Sequence, residues 1–163
     1  MLIHMNGKPY FLDYRETAPA TAHKDMFLNE AGDVIENSTL IGARAAGVPG
    51  TVAGFWTAHQ RFGQLSWQKV LAPAIRLAKD GFIPARILAD DVQSHYDWFG
   101  TSTNFKNHFG NLTAGENFKQ PALASTLIRI ASEGMQDFYT GETSKLLVNQ
   151  MKRDRGLISA QDL

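Results

Sequence analysis

The sequence has no cysteine, no net charge and no long apolar run, and each absence excludes a class of protein. Without Cys the chain has no disulfides, thiolate nucleophiles, Fe–S clusters or cysteine-based zinc sites. Lys plus Arg and Asp plus Glu both number 16, so long-range attraction to phosphates or anionic lipid is not expected. No run of about 18 apolar residues occurs. We therefore predict neither a nucleic-acid partner nor a membrane partner.

What the chain does contain is typical of a folded globular protein. It has 163 residues, of which 44% are hydrophobic and 20% charged, and its mean hydropathy is −0.23. Asn6-Gly7, between the strand-like segments Met1–Met5 and Lys8–Leu12, predicts a β-hairpin, because type I′ turns need positive φ at both central residues. The sequence therefore predicts an α+β fold in which an N-terminal β-hairpin is followed by a mainly α-helical region.

Apolar residues at helical spacing, with Pro, Ser and Gly at the ends of the segments, predict the helices. Pro73 is predicted to begin a helix of its own, because proline is favoured in a first turn and not in a helix interior. The segment Gly100–Lys119 has no clear period and is predicted to be a long loop. The predicted helices are Thr51–Phe62 ending before Gly63, Trp67–Leu71 after the N-cap Ser66, Pro73 to Gly81, a helix opened by Pro84, Pro121 to Gly134, and Glu142 to about Gly156, with a capping box at Ser159 and Asp162.

Several residues that suggest chemistry are better explained as structural. The histidines lack the spacing of paired metal ligands, so no metal site is predicted. No cofactor is predicted either. Asp90 and Asp91 are neighbours on a helix and point about 100° apart, which favours solvated surface over a shared proton. The glycine-rich segment Gly47–Gly54 lacks both the P-loop and the dinucleotide spacing. Gly54 instead predicts a close approach of another backbone to the helix. The histidines are His4, His23, His59, His95 and His108.

The segment around Arg15 differs from these. It follows the second strand, and Pro19 takes the chain out of regular structure shortly afterwards. A guanidinium at the end of a strand can bind a carboxylate with two parallel hydrogen bonds, which a lysine cannot do with the same geometry. Glu16 or Asp13 could hold it in place. Arg15 is therefore a candidate for binding a carboxylate ligand, but the residues alone favour an arginine–carboxylate pair that only closes a loop, because most such pairs are structural.

Eight sequence blocks in this order resemble the large subunit of the γ-glutamyltranspeptidase family, and together they extend over the whole chain. Each block is modest alone, but their shared order makes the resemblance specific. They are Met1–His4, Asp13–Pro19, Lys24–Phe27, Gly47–Gly54, Pro73–Ala78, Asp80–Phe82, Phe138–Gly141 and Gly156–Leu163.

The resemblance implies an αββα N-terminal-nucleophile hydrolase that cleaves its own precursor and uses the Thr freed at the start of its small subunit. By the same resemblance, Arg15 binds the α-carboxylate of the γ-glutamyl donor. Glu16 and Asp13, the neighbouring carboxylates, are the supporting residues expected from the local sequence. The family's processing motif is absent from these residues, and Thr21-Ala-His23 stands at the wrong place for it. We therefore predict no catalytic residue in this chain and expect it to be inactive alone, as a single partial domain, residues 1–163, from inside a large subunit.

The resemblance implies a parent enzyme that cleaves γ-glutamyl amides such as glutathione and transfers the γ-glutamyl group to amino acids, peptides or water. Its partners would be the γ-glutamyl substrate, such as glutathione, and the small subunit of the same precursor. The resemblance suggests that the parent enzyme lies in the periplasm or outside the cell. A relative acting on poly-γ-glutamate or a β-lactam side chain is an alternative. A non-catalytic helical interaction domain is another. An independent Ser-His-Asp hydrolase is disfavoured, because no G-x-S-x-G motif is present.

Overall fold

A computed structural model describes residues 1–99 and 103–163 as a β-hairpin followed by helices. The chain divides into two compact units, residues 1–70 with 129–163, and residues 71–128. The single partial domain predicted over residues 1–163 stays a prediction. The elements are β1 Leu2–Met5, β2 Lys8–Phe11, a short 3-10 helix Ala43–Ala45, α1 Thr51–Phe62, α2 Trp67–Asp80, α3 Arg86–Ser94, α4 Tyr96–Phe99, α5 Phe105–Phe109, α6 Pro121–Glu133, α7 Met135–Tyr139 and α8 Glu142–Arg153.

The hairpin forms as the Asn6-Gly7 turn predicts. Both turn residues have positive φ, 51° at Asn6 and 74° at Gly7, and β1 pairs antiparallel with β2 so that Leu2 stands opposite Phe11. The ring of Tyr10 lies 4.9 Å from that of Phe62 at the end of α1. Two strands are only marginally stable in isolation, so this contact with α1 anchors the hairpin.

The larger unit is built around two tryptophans. Trp56 on α1 meets Trp67 edge to face at 5.1 Å, and the buried indole N–H of Trp67 donates to the carbonyl of Ile130 at 2.9 Å. Gly134 ends α6 with φ of 71°, and a Cβ there would stand 2.7 Å from the Trp56 ring. The buried apolar residues of this unit are Val48, Trp67, Ile130, Ala131, Val148 and Ile158.

The smaller unit has an aromatic core. Phe82 and Phe118 exchange backbone hydrogen bonds of 3.1 and 2.9 Å, and their rings meet edge to face at 6.0 Å. Val92 from α3 and Leu112 complete the buried cluster, and Tyr96, Phe105 and Phe109 pack around it. Among the described residues of the whole chain, no helix combines the length and apolarity needed to cross a membrane.

The prediction that Pro73 begins a helix is wrong, because Pro73 lies inside the continuous helix α2. The missing N–H of Pro73 removes one helical hydrogen bond, yet the ring lies on the exposed side. Trp67, Ile75 and Ala78 share the opposite, less exposed side of α2. Because that apolar face continues past Pro73, its burial outweighs the lost bond.

The predicted N-cap Ser66 is present, with its hydroxyl 3.4 Å from the amide of Lys69.

The predicted long loop Gly100–Lys119 is partly wrong, because α5, Phe105–Phe109, lies within it. Residues 100–102 of that prediction lie outside the described residues. The short α5 forms because Phe105 and Phe109, four residues apart, both pack on the aromatic core.

Helix α1 ends at Phe62 as predicted, but Gly63 has φ of −68° and is not a left-handed cap.

Candidate functional site

Arg15 lies at the surface, where its side chain is 82% exposed. Its Nη2 is 3.1 Å from Oε1 of Glu16, which is 54% exposed. Asp13, the other carboxylate that could hold the guanidinium, bonds the backbone instead. Its Oδ1 accepts the backbone N–H of Arg15 at 3.1 Å. Glu16 therefore orients the side chain of Arg15, whereas Asp13 shapes the backbone that carries it.

A hollow of about 360 Å³ adjoins this arginine. Thr51, the first residue of α1, lines it together with Arg15, so the partly positive end of a helix and a guanidinium border the same space. A guanidinium has five N–H donors, so the pair with Glu16 leaves donors for a second carboxylate. The hollow is accessible to a ligand and is lined by Met1, Asp13, Tyr14, Arg15, Glu16 and Thr51.

The backbone at residues 14–17 is held against the segment Gly47–Gly54. Thr17 and Val48 form an antiparallel bridge, with the amide of Val48 donating to Thr17 at 2.8 Å. A Cβ on Gly50 would stand 2.3 Å from the carbonyl oxygen of Tyr14, and one on Gly54 would stand 2.3 Å from the Tyr14 ring. The close approach predicted at Gly54 is thus made by a side chain, and the backbone approaches at Gly50.

The other residues considered in the sequence have structural surroundings. His59 lies 2.8 Å from the carbonyl of Leu65 through Nε2, and its ring packs on Trp67 at 5.0 Å. Asp90 pairs with Arg86 at 3.5 Å on the exposed surface of α3. Within residues 1–99 and 103–163, no three His, Asp or Glu side chains are grouped as metal ligands would be.

A buried carboxylate, Asp137, lies in the larger unit, and no motif in the sequence points to it. Its side chain is 0% exposed and lies 3.5 Å from Nε of Arg129. The hydroxyl of Thr143 donates to Oδ2 of Asp137 and accepts from Nη2 of Arg129 at 3.0 Å. The only sequence signal is an aspartate beside the large apolar residue Phe138. This network joins α6, α7 and α8 and stabilises their packing.

A second carboxylate, Asp162, joins two distant parts of the chain. Its Oδ1 accepts the amide of Ala20 at 2.7 Å, and its Oδ2 accepts both the hydroxyl and the amide of Ser159 at 2.7 Å. The hydrogen bond from Ala20, with those from Ser159, lowers the pKa of Asp162 below its ordinary value. The capping-box contact predicted between Ser159 and Asp162 is therefore present, within a turn at residues 160–162.

Comparison with known proteins places this chain in a family. The family model described as gamma-glutamyltranspeptidase matches residues 1–163. The glutathione hydrolase proenzyme of Pseudomonas aeruginosa is 54% identical over 163 residues, which is 100% of this chain and 29% of that protein. A solved γ-glutamyltranspeptidase from Pseudomonas nitroreducens, complexed with L-DON, matches 99% of this chain with a TM-score of 0.96 and 56% identity. That of Helicobacter pylori matches 99% with a TM-score of 0.93 and 35% identity.

The hairpin-and-helix arrangement is thus the α+β fold found in N-terminal-nucleophile hydrolases. The chain belongs to the γ-glutamyltranspeptidase family, and the family predicted from the eight sequence blocks is confirmed. This chain spans 48% of each of the two solved chains and 29% of the P. aeruginosa protein.

Proposed function

We propose that this chain forms the donor-binding part of a γ-glutamyltranspeptidase, an enzyme that cleaves γ-glutamyl amides such as glutathione and transfers the γ-glutamyl group to amino acids, peptides or water. The single observation that carries this proposal is the exposed guanidinium of Arg15 beside a hollow, in a chain of this family. Its position supports binding of the donor α-carboxylate. An arginine closed off inside the protein would instead have favoured the non-catalytic interaction domain.

The electrostatics of the site suit an anion. The exposed pair of Arg15 and Glu16 contributes about 0–1 kcal/mol to stability, so the guanidinium is not committed to holding the fold together. A substrate carboxylate would bind the guanidinium of Arg15, beside Glu16, through two parallel hydrogen bonds. The end of α1 at Thr51 adds its partial positive charge.

The reaction requires residues beyond these 163. The relative from P. aeruginosa is named a proenzyme, which supports a longer precursor that is cut into two subunits. In the family that the sequence resembles, the hydroxyl of the small subunit's Thr attacks the γ-carbonyl, and the amine leaves with a proton. Water or another amine then attacks the resulting ester and releases the γ-glutamyl group. The role of this chain would be to hold the donor by its α-carboxylate during both steps.

The test uses the matured precursor and two donors, a γ-glutamyl anilide and the same anilide with its α-carboxylate converted to a carboxamide. Arg15→Ala should raise KM for the carboxylate donor about 10- to 100-fold, as expected for hydrogen bonds between charged groups, with little effect on the carboxamide donor. Arg15→Lys should recover only part of the loss, because a lysine cannot bind with the same two-pronged geometry. An unchanged KM for the carboxylate donor in Arg15→Ala would refute the role of Arg15.

A further inference from the structure

Helix α1 begins without a capping side chain of its own. Its N-cap residue is Gly50, and no side-chain hydrogen bond is made there. The first amides of a helix have no partner within the helix, and an N-cap Ser, Thr, Asp or Asn normally accepts from one of them. Such a residue cannot stand at Gly50, because its Cβ would lie 2.3 Å from the carbonyl oxygen of Tyr14.

Tyr139 provides the missing cap from the end of α7. Its hydroxyl accepts the amide of Ala53, the third residue of α1, at 3.1 Å. The same hydroxyl donates to the carbonyl of Pro49, just before the helix, at 2.8 Å. One partly buried oxygen therefore ties the start of α1 to the turn that precedes it, across 86 residues of sequence.

The capped segment is the one on which the Arg15 backbone rests. Tyr14 packs on Gly50 and Gly54, and its ring meets Phe55 of α1 edge to face at 5.7 Å. The side chain of Arg15 is exposed and pairs with its neighbour Glu16, so the backbone that carries both residues sets the position of the guanidinium. Movement of the start of α1 would therefore move the arginine and the adjoining Thr51 together.

We propose that Tyr139 is a positioning residue for the donor site, acting through the start of α1 and the backbone of Tyr14 on the guanidinium of Arg15. This inference rests on the proposed function, in which Arg15 binds the donor α-carboxylate. Loss of the Tyr139 hydroxyl leaves the amide of Ala53 without its cap and the carbonyl of Pro49 without its donor. The arginine then samples more positions and binds the carboxylate less tightly.

Tyr139→Phe in the matured precursor tests this with the carboxylate and carboxamide donors. We expect KM for the carboxylate donor to rise about 5-fold, the size of one typical hydrogen bond, with kcat nearly unchanged. The carboxamide donor should show no such rise. In an Arg15→Ala background the effect of Tyr139→Phe should disappear, because the group that it positions is gone.

Tyr96→Phe is the matched control. The Tyr96 hydroxyl also donates to a backbone carbonyl, that of Phe109, at 2.8 Å, but it lies in the smaller unit. This variant should leave the ratio of kcat/KM for the two donors unchanged. Hydrogen exchange gives a readout besides activity, since the amide of Ala53 should exchange faster in Tyr139→Phe than in the unmodified protein.

The outcomes separate this inference from the proposed function. If Arg15→Ala abolishes discrimination between the donors while Tyr139→Phe preserves it, only the role of Tyr139 is overturned. An equal loss for both donors in Tyr139→Phe would also overturn it, since that is the result of a general structural role. Unchanged exchange at Ala53 would overturn the cap. If Arg15→Ala itself preserves discrimination, the proposed role of Arg15 fails and the role of Tyr139 fails with it.

Discussion

The ring of Tyr14 occupies the space in which a side chain at Gly54 would stand. A Cβ at Gly54 would lie 2.3 Å from Cγ and 2.7 Å from Cδ1 of that ring. A glycine in the first turns of a helix costs about 1 kcal/mol relative to alanine. Here it permits Tyr14, the residue beside Arg15, to pack against α1, so the position of the backbone that carries Arg15 depends on a glycine in a helix.

Gly54→Ala should therefore destabilise the protein, although alanine is the better helix former. The added methyl would push Tyr14 off the helix at a cost of about 1–3 kcal/mol, which exceeds the gain in helix propensity. The measurement is the free energy of unfolding in denaturant. In a Tyr14→Ala background the same substitution should become stabilising by about 0.5–1 kcal/mol, because only the propensity gain remains. A stabilising Gly54→Ala with Tyr14 intact would contradict the packing described.

The buried network of Asp137 gives a second prediction. Thr143→Val keeps the shape of the side chain but removes the hydroxyl between Asp137 and Arg129. We expect a loss of about 1–3 kcal/mol of unfolding free energy, because a buried carboxylate loses a donor. Thr140→Val is the matched control, since its hydroxyl donates to the carbonyl of Gln136 on the exposed surface, and surface changes are usually within about 0.5 kcal/mol. Equal losses for the two variants would argue against the network.

Asp162 makes the stability of the folded protein depend on pH. Its pKa is lowered by the amide of Ala20 and by Ser159, whereas in the unfolded chain it has its ordinary value of about 3.9. The stabilisation is therefore complete above that ordinary value and is lost as the pH falls through the lowered one. Asp162→Asn should lower Tm at neutral pH, and its Tm should converge with that of the unmodified protein as the pH falls.

The control for this pH dependence is Asp90→Asn. Asp90 is an exposed helical carboxylate paired with Arg86 at 3.5 Å, and such pairs contribute little. The Tm of Asp90→Asn, measured as a function of pH, should follow that of the unmodified protein at every pH. A constant Tm difference between Asp162→Asn and the unmodified protein from neutral to strongly acidic pH would contradict the role assigned to the ionised carboxylate.

Local patterns were sufficient for most elements of this fold. Asn6-Gly7 specifies the hairpin, because few residues other than Asn and Gly tolerate positive φ at both positions. The end of α1 at Phe62 and the stop of α6 before Gly134 also follow from local signals. The prediction failed at Pro73, where a local rule about proline was outweighed by the tertiary burial of a continuous apolar face.

The candidate site was predictable only in part. The sequence pointed to Arg15 through its place after a strand and through the family resemblance, but it left open whether Glu16 or Asp13 holds the guanidinium. In the structure Asp13 bonds the backbone of Arg15 instead. A two-residue contact of this kind depends on the backbone angles of the turn, which the order of residues does not specify.

The sequence by itself determined the family, the hairpin, the spacing of the main helices and the identity of Arg15 as the candidate ligand for a carboxylate. Only the tertiary structure decided what holds these parts in place. The cap of α1 by Tyr139 crosses 86 residues, and the bond from Ala20 to Asp162 crosses 142. The physical reason is that a helix or a turn is selected by neighbours within about four residues, whereas these contacts exist only after distant elements have packed together.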